Sequence, residues 1–292
     1  MVTRPPEVSL VALAALWLVG CAAAGSDEAV LDEASRGAAA SRCAIEPWSG
    51  DLACSHQWVT LDGRLVSYQT PLGAPPPGGW PVVYFFQGSF FPAELIWSAS
   101  PASPLELFGA RAQTTTVKRL LDGGYAVVAP NAHFLGTFAW DTNLPPWAYA
   151  WTLSPDHHFM LEIFEAVTAG ALGPLSATEW YATGVSSGGY MASRMGITYP
   201  DRFRALAIAA ASYATCGGAA CVVPELDGTH PPVLFVHGAL DPVVPLWTMD
   251  LYRDRLSAAG VDNRALVNPD FPHGWIPEAP DAVLAWFRLH RR

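Results

Sequence analysis

Residues 184–188 read Gly-Val-Ser-Ser-Gly and stand between an apolar run, Trp180 to Thr183, and a helix-like stretch, Gly189 to Tyr199. A serine on a sharp strand-to-helix turn must adopt a strained backbone, and side chains two residues to either side would collide there. Gly184 and Gly188 remove that collision. Such a turn lifts the hydroxyl of Ser186 above a sheet edge and aims the backbone N–H of Ser187 at the oxygen of a carbonyl held in front of it. The pattern thus demands a buried strand before it and a helix after it.

The rest of the chain repeats that alternation. Its 292 residues suffice for one large core, and short apolar strands interleaved with helical patterns predict an α/β fold with a mostly parallel sheet, flanked by helices on both faces. Trp58 to Tyr68 reads as a hairpin turning at Asp62-Gly63. Further strands are expected at Pro81–Phe86, Tyr125–Ala129, Trp180–Val185, Ala205–Ala210, Val233–His237 and Ala265–Val267. Helices are expected at Thr116–Leu121, Asp156–Ala169, Gly189–Tyr199, Leu246–Ala259 and Pro280–His290. Phe159, Ile163 and Val167, four residues apart, give the second helix a buried stripe.

A serine nucleophile at neutral pH needs a histidine base, and the histidine needs a carboxylate to orient it. Asp241 follows the apolar strand Val233–His237, in the loop where ligands gather at the carboxyl ends of parallel strands. His273 lies beyond the last strand, in Pro272-His273-Gly274-Trp275. The order Ser, Asp, His is that of α/β-hydrolases. Of the other histidines, His237 ends a buried strand and reads as structural, while His157 and His158 fall in the first turn of a helix; His133 and His230 remain competitors for the base. A second oxyanion donor should come from the loop after another central strand. Gln87-Gly88-Ser89-Phe90 is that loop, and the N–H of Ser89 is the expected donor. Gln87 stands where many such enzymes carry histidine.

Arg4 followed by the apolar run Val8–Val19 reads as an export signal, too short to span a bilayer as a mature helix. Leu18-Val-Gly-Cys21 resembles a bacterial lipoprotein box, which would lipidate Cys21; an ordinary signal peptide is the alternative. The expected organisation is a signal at 1–21, an Ala-rich and acidic tether at 22–42, and a single catalytic domain at 43–292. Four cysteines remain in the exported part, and local disulfides Cys43–Cys54 and Cys216–Cys221 are the preferred pairing, with the two crossed pairings open. Their spacing does not suit zinc, and no phosphate-cradling loop or dinucleotide fingerprint occurs, so neither metal nor organic cofactor is expected. With 16 basic against 26 acidic residues and no basic cluster before Arg291-Arg292, nucleic acid is excluded as a partner. Charged residues are 14% and aromatic ones 12%, which suits an apolar, uncharged substrate.

The stretch Trp180 to Met195 with Ser186 at its centre, Arg204-Ala-Leu-Ala, Ser212-Tyr-Ala-Thr-Cys216, Ala139-Trp-Asp-Thr-Asn143, Pro231 to Gly238, Asp241 and His273-Gly-Trp275 together resemble the extracellular medium-chain-length polyhydroxyalkanoate depolymerases. The likeness extends over most of the mature chain. It implies an α/β-hydrolase fold and a Ser186-Asp241-His273 triad cleaving ester bonds of a water-insoluble polyester outside the cell. An insoluble aliphatic substrate calls for exposed apolar side chains. Phe90, Phe91, Trp140, Trp147 and Trp275 are the expected substrate contacts, among a wider aromatic group with Trp97, Phe134, Phe138 and Trp151. Alternatives are a short-chain polyester depolymerase, a feruloyl or other carboxylesterase using the same triad, and a surface polymer-binding lipoprotein without turnover.

Overall fold

Alternation along each central strand sorts the apolar side chains into two layers. In Trp80–Phe86, Val82, Tyr84 and Phe86 join one buried cluster while Val83 and Phe85 join another. The same split runs through Phe203–Ala209, where Leu206 and Ile208 face one layer and Ala205, Ala207 and Ala209 the other. Strands buried on both faces belong to a parallel sheet covered by helices on each side, as expected from the sequence. The structure, a computed structural model, describes residues 41–133 and 139–291.

Eleven strands and five α-helices are described. In chain order the strands are β1 (Cys43–Ile45), β2 (Leu52–Cys54), β3 (Gln57–Leu61), β4 (Arg64–Gln69), β5 (Trp80–Phe86), β6 (Ser98–Ala99), β7 (Ala126–Pro130), β8 (Leu175–Val185), β9 (Phe203–Ala209), β10 (Val233–Gly238) and β11 (Asn263–Asn268). The helices are α1 (Ala110–Asp122), α2 (Pro155–Thr168), α3 (Ser187–Thr198), α4 (Leu246–Ala258) and α5 (Ala279–Leu289). Eight strands form one sheet in the order β3-β4-β7-β5-β8-β9-β10-β11. The β3–β4 and β4–β7 pairs are antiparallel and every pair from β7 to β11 is parallel. Residues of α1 and α5 fill one layer, those of α2, α3 and α4 the other. This is the α/β-hydrolase fold. Because β5, β8, β10 and β11 run parallel, the loops bearing Ser89, Ser186, Asp241 and His273 leave the sheet at the same edge.

Local chemistry agrees with these elements. Asp62 and Gly63 take φ of 47° and 69°, the left-handed pair that a two-residue hairpin turn requires. Helix α2 begins at Pro155, after Ser154, whose hydroxyl accepts from the His157 N–H, an N-cap with proline at the first position. The small antiparallel sheet β1-β2-β6 has no counterpart in the sequence reading, since strands of two or three residues carry too little periodicity to be seen. Both expected disulfides are present, and Cys43–Cys54 joins partnered residues of β1 and β2. No helix among the described residues is long and apolar enough to cross a membrane.

A buried polar clasp fixes the segment leading into α2. The Asp141 N–H donates to Asp156 Oδ2 at 2.6 Å, the Asp156 N–H to Asp141 Oδ2 at 3.3 Å, and the Arg64 guanidinium donates to Asp156 Oδ1 at 2.5 Å. Burial, then the neighbouring Asp141 carboxylate, push Asp156 up to about 6 against the pull of Arg64. A carboxyl with a folded pKa above its unfolded value binds more protons when folded, so its contribution to stability falls as pH rises from about 4 to about 6. Asp156→Asn should lose that segment of the pH dependence. The melting temperature of the variant minus that of wild type should climb between pH 4 and 6, and a flat difference would contradict the assignment.

Candidate active site

Ser186 has φ 55° and ψ −121°, a conformation that costs an L-residue about 1–3 kcal/mol and persists only where its surroundings enforce it. Enforcement comes from both sides: its N–H donates to Ala209 O at 2.9 Å and its carbonyl accepts from the Tyr190 N–H at 3.0 Å. The flanking glycines are required by space. A Cβ on Gly184 would lie 2.4 Å from Gly188 O, and one on Gly188 would lie 2.1 Å from Phe86 O. The collision read from the sequence is therefore real, and it involves the neighbouring strand β5 as well as the turn itself.

Asp241 and His273 reach this edge through adjoining loops stitched together by backbone bonds, Ala239 N–H to Asn268 O at 2.8 Å and Leu240 N–H to Phe271 O at 3.1 Å. Asp241 uses its two oxygens differently. Oδ1 accepts from the Val243 and Val244 N–H groups, each at 2.8 Å, and Oδ2 accepts from His273 Nδ1 at 2.7 Å. Burial pushes the Asp241 carboxyl up, but the bond from His273 and those from Val244 and Val243 outweigh it and hold the group below the ordinary carboxylate value. A carboxylate only accepts, so Nδ1 of His273 carries a proton, and the neutral imidazole in that tautomer has Nε2 as its acceptor.

Ser186 and His273 line one cavity of about 350 Å³. Gln87, Gly88 and Ser89 also border it, and the N–H groups of Ser89 and Ser187 have no protein acceptor among the described residues. Most of the remaining wall is hydrocarbon, from Phe90, Phe91, Pro92, Leu95, Ile96, Leu105, Phe108, Val185 and Val243. Among the described residues no cluster of His, Cys, Asp or Glu is arranged to hold a metal ion.

Of the expected substrate contacts, Phe90 and Phe91 border the cavity and three tryptophans do not. Trp140 and Trp275 are fully buried core residues, because each indole finds both apolar packing and an acceptor for its N–H inside the protein. Trp140 Nε1 donates to Gln87 O and packs edge-on against Phe86; Trp275 Nε1 donates to Thr116 Oγ1 and stacks on Phe85. Trp147 is half-buried and away from the cavity wall. Trp97 and Trp151 are likewise buried, with N–H bonds to Ser67 Oγ and Tyr199 OH. Phe134, Phe138 and Cys21 lie outside the described residues. His237 is fully buried, donating from Nε2 to Val244 O at 2.9 Å, and burial holds it below the ordinary histidine value. It braces the loop that carries Asp241. His157 and His158 bond Tyr199 OH and Ser154 O, and His230 is paired with Tyr252 OH.

Residues between 95 and 113 contribute a part of the wall that no sequence pattern announces. A short 3₁₀ helix, Pro104–Phe108, starts at Ser103, whose side chain accepts from Leu105 N, and ends at Gly109 with φ 75°. Ser-Pro and a following glycine are legible start and stop signals, but nothing in them says which cavity the turn borders. Gly109 is packed so closely on the His273 loop that a Cβ there would lie 1.9 Å from Trp275 O. Gly109→Ala should push the Trp275 backbone, and His273 two residues before it, out of register. A displacement near 1 Å costs about a hundredfold in rate. Steady-state kinetics on p-nitrophenyl octanoate, with circular dichroism to verify folding, tests this; a loss smaller than about threefold would refute the coupling.

Solved proteins of similar fold include a sugar hydrolase of Lactococcus lactis (TM-score 0.57, 15% identity, 80% of this chain and 98% of that one). A truncated carbohydrate esterase from gut microbiota gives a TM-score of 0.56 at 14% identity, over 77% and 90% of the two chains. The Bacillus cereus carboxylesterase gives 0.53 at 14%, over 79% and 96%. No protein-family model matches the chain. A strained serine turn at the carboxyl edge of this sheet makes the protein an α/β-hydrolase, and its relatives mark it as an ester-hydrolysing enzyme. The particular branch follows from a poly(3-hydroxyoctanoate) depolymerase of Pseudomonas fluorescens, 47% identical over 262 residues, 86% of this chain and 92% of the relative. The chain belongs to the polyhydroxyalkanoate depolymerase family.

Proposed function

We propose that the protein is an exported serine esterase that hydrolyses poly(3-hydroxyalkanoates) with medium-length side chains, through Ser186, His273 and Asp241. The observation that carries this reading is the 2.7 Å bond between His273 and Asp241 in a pair of loops that brings His273 to the same apolar cavity as Ser186. Asp241 holds the imidazole in the tautomer that accepts at Nε2 and supports the positive charge that develops on it. Ser186 Oγ attacks the ester carbonyl carbon while its proton passes to His273, and the N–H groups of Ser187 and Ser89 take the oxyanion. Collapse breaks the bond to the polymer's alcohol end, which leaves with the proton from His273. Water, deprotonated by the same imidazole, then attacks the 3-hydroxyacyl enzyme and releases the acid, restoring Ser186.

The relative's substrate, a hydrophobic polyester, supports the choice of polymer, and two disulfides are compatible with an extracellular enzyme. Attachment through a lipid on Cys21 is part of the proposal, and the mass of the mature N-terminus tests it. Purified protein should release 3-hydroxy acids from a polymer emulsion and react at Ser186 with a phosphonate probe. Failure of both would return the chain to the reading of a polymer-binding protein without turnover.

A further inference from the structure

In a poly(3-hydroxyalkanoate) every ester carbonyl has an alkyl branch two carbons away on its acyl side, and the alcohol oxygen is attached directly to the next branched carbon. Whichever direction the chain runs past Ser186, an alkyl branch lies beside the attacked carbonyl. The cavity that Ser186 borders is walled chiefly by hydrocarbon and has no Asp, Glu, Lys or Arg among its described lining residues. At about 350 Å³ it is far larger than a methyl group, which would leave most of the wall without contacts.

One element of that wall presents two apolar side chains one turn apart. Three residues per turn put side chains at i and i+3 of a 3₁₀ helix on the same edge, so Leu105 and Phe108 of Pro104–Phe108 both face the cavity. The intervening residues do other work: Glu106 accepts from the Arg111 N–H, and Leu107 is exposed. The turn is tied down at its end. The Phe108 carbonyl accepts from the Trp275 N–H at 3.1 Å and from Gln113 Nε2 at 3.5 Å. The turn and the loop of His273 therefore hold one another in place.

We propose that this cavity receives the alkyl branch of the monomer unit next to the scissile bond, and that Leu105 and Phe108 set the branch length the enzyme prefers. The inference rests on the esterase reading given above and adds to it the element that selects the substrate. Until the wall is met, each methylene buried should raise kcat/KM by about fourfold.

The test uses soluble dimers of 3-hydroxyalkanoates with methyl, propyl, pentyl and nonyl branches, cleaved by the wild type, Leu105→Trp and Leu105→Ala. Each rate is referred to p-nitrophenyl acetate hydrolysis by the same preparation. Wild type should favour pentyl over methyl by tenfold or more. Leu105→Trp should cut that ratio at least tenfold, and Leu105→Ala should move the optimum towards nonyl. Ratios within twofold of wild type in both variants would overturn the assignment of Leu105 and Phe108. Equal rates of wild type on all four dimers would overturn the branch pocket while leaving ester hydrolysis intact. A wild type that cleaves none of the dimers and not the acetate ester would overturn the esterase reading beneath it.

Discussion

Ser186→Ala should lower acid release at least about a thousandfold and abolish phosphonate labelling, because removing the nucleophile of a triad leaves only the rate supplied by binding and the oxyanion donors. The substitution is clean. Alanine and serine pay similar costs at φ 55°, and the bonds that hold this residue, to Ala209 O and from the Tyr190 N–H, use only its backbone. The variant should fold, and it should still adsorb to polymer through the cavity wall. Acid release above about a thousandth of wild type would remove Ser186 from the chemistry.

Asp241→Asn should cost about a thousandfold to ten-thousandfold in kcat. The reason lies in how the carboxylate is shared. Two backbone N–H groups, from Val243 and Val244, occupy Oδ1, so an asparagine would keep its carbonyl oxygen there and turn its amide NH₂ towards His273. A donor at that place forces the His273 proton onto Nε2, and the imidazole can no longer accept from Ser186. The loop should survive, since its backbone bonds are retained. Measuring kcat for p-nitrophenyl octanoate alongside thermal melting separates lost chemistry from lost folding, and a variant within tenfold of wild type in kcat would be incompatible with Asp241 orienting the base.

Much of this site was legible in the chain. The apolar strands Val82–Phe86 and Val233–Val236 could be read because strands buried on both faces are continuous runs of large aliphatic and aromatic residues. Gly184 and Gly188 announced the serine turn because only glycine tolerates the approach that the turn imposes. Local pairing of the cysteines followed from short separations. Boundaries were less clear: α1 begins at Ala110 rather than near Thr116, since the polar residues Arg111 and Gln113 to Thr115 mask its start. Trp140 and Trp275 are core residues, not substrate contacts, for a physical reason. Trp140 and Trp275 bring a large apolar surface and one N–H, and whether that combination is spent on substrate or on the interior depends on whether an acceptor such as Gln87 O or Thr116 Oγ1 stands nearby.

Sequence alone determined the fold class and singled out Ser186, Asp241 and His273, in that order, as the proposed triad, because these depend on short-range patterns: strand and helix periodicity, glycines at a tight turn, and loops following apolar strands. Tertiary structure alone decided what surrounds them. Leu105 and Phe108 enter the cavity wall, and Gly109 bears on the His273 loop, across more than 160 residues of chain. Such contacts are set by where separate loops leave a common sheet edge, and no local pattern encodes the distance between them.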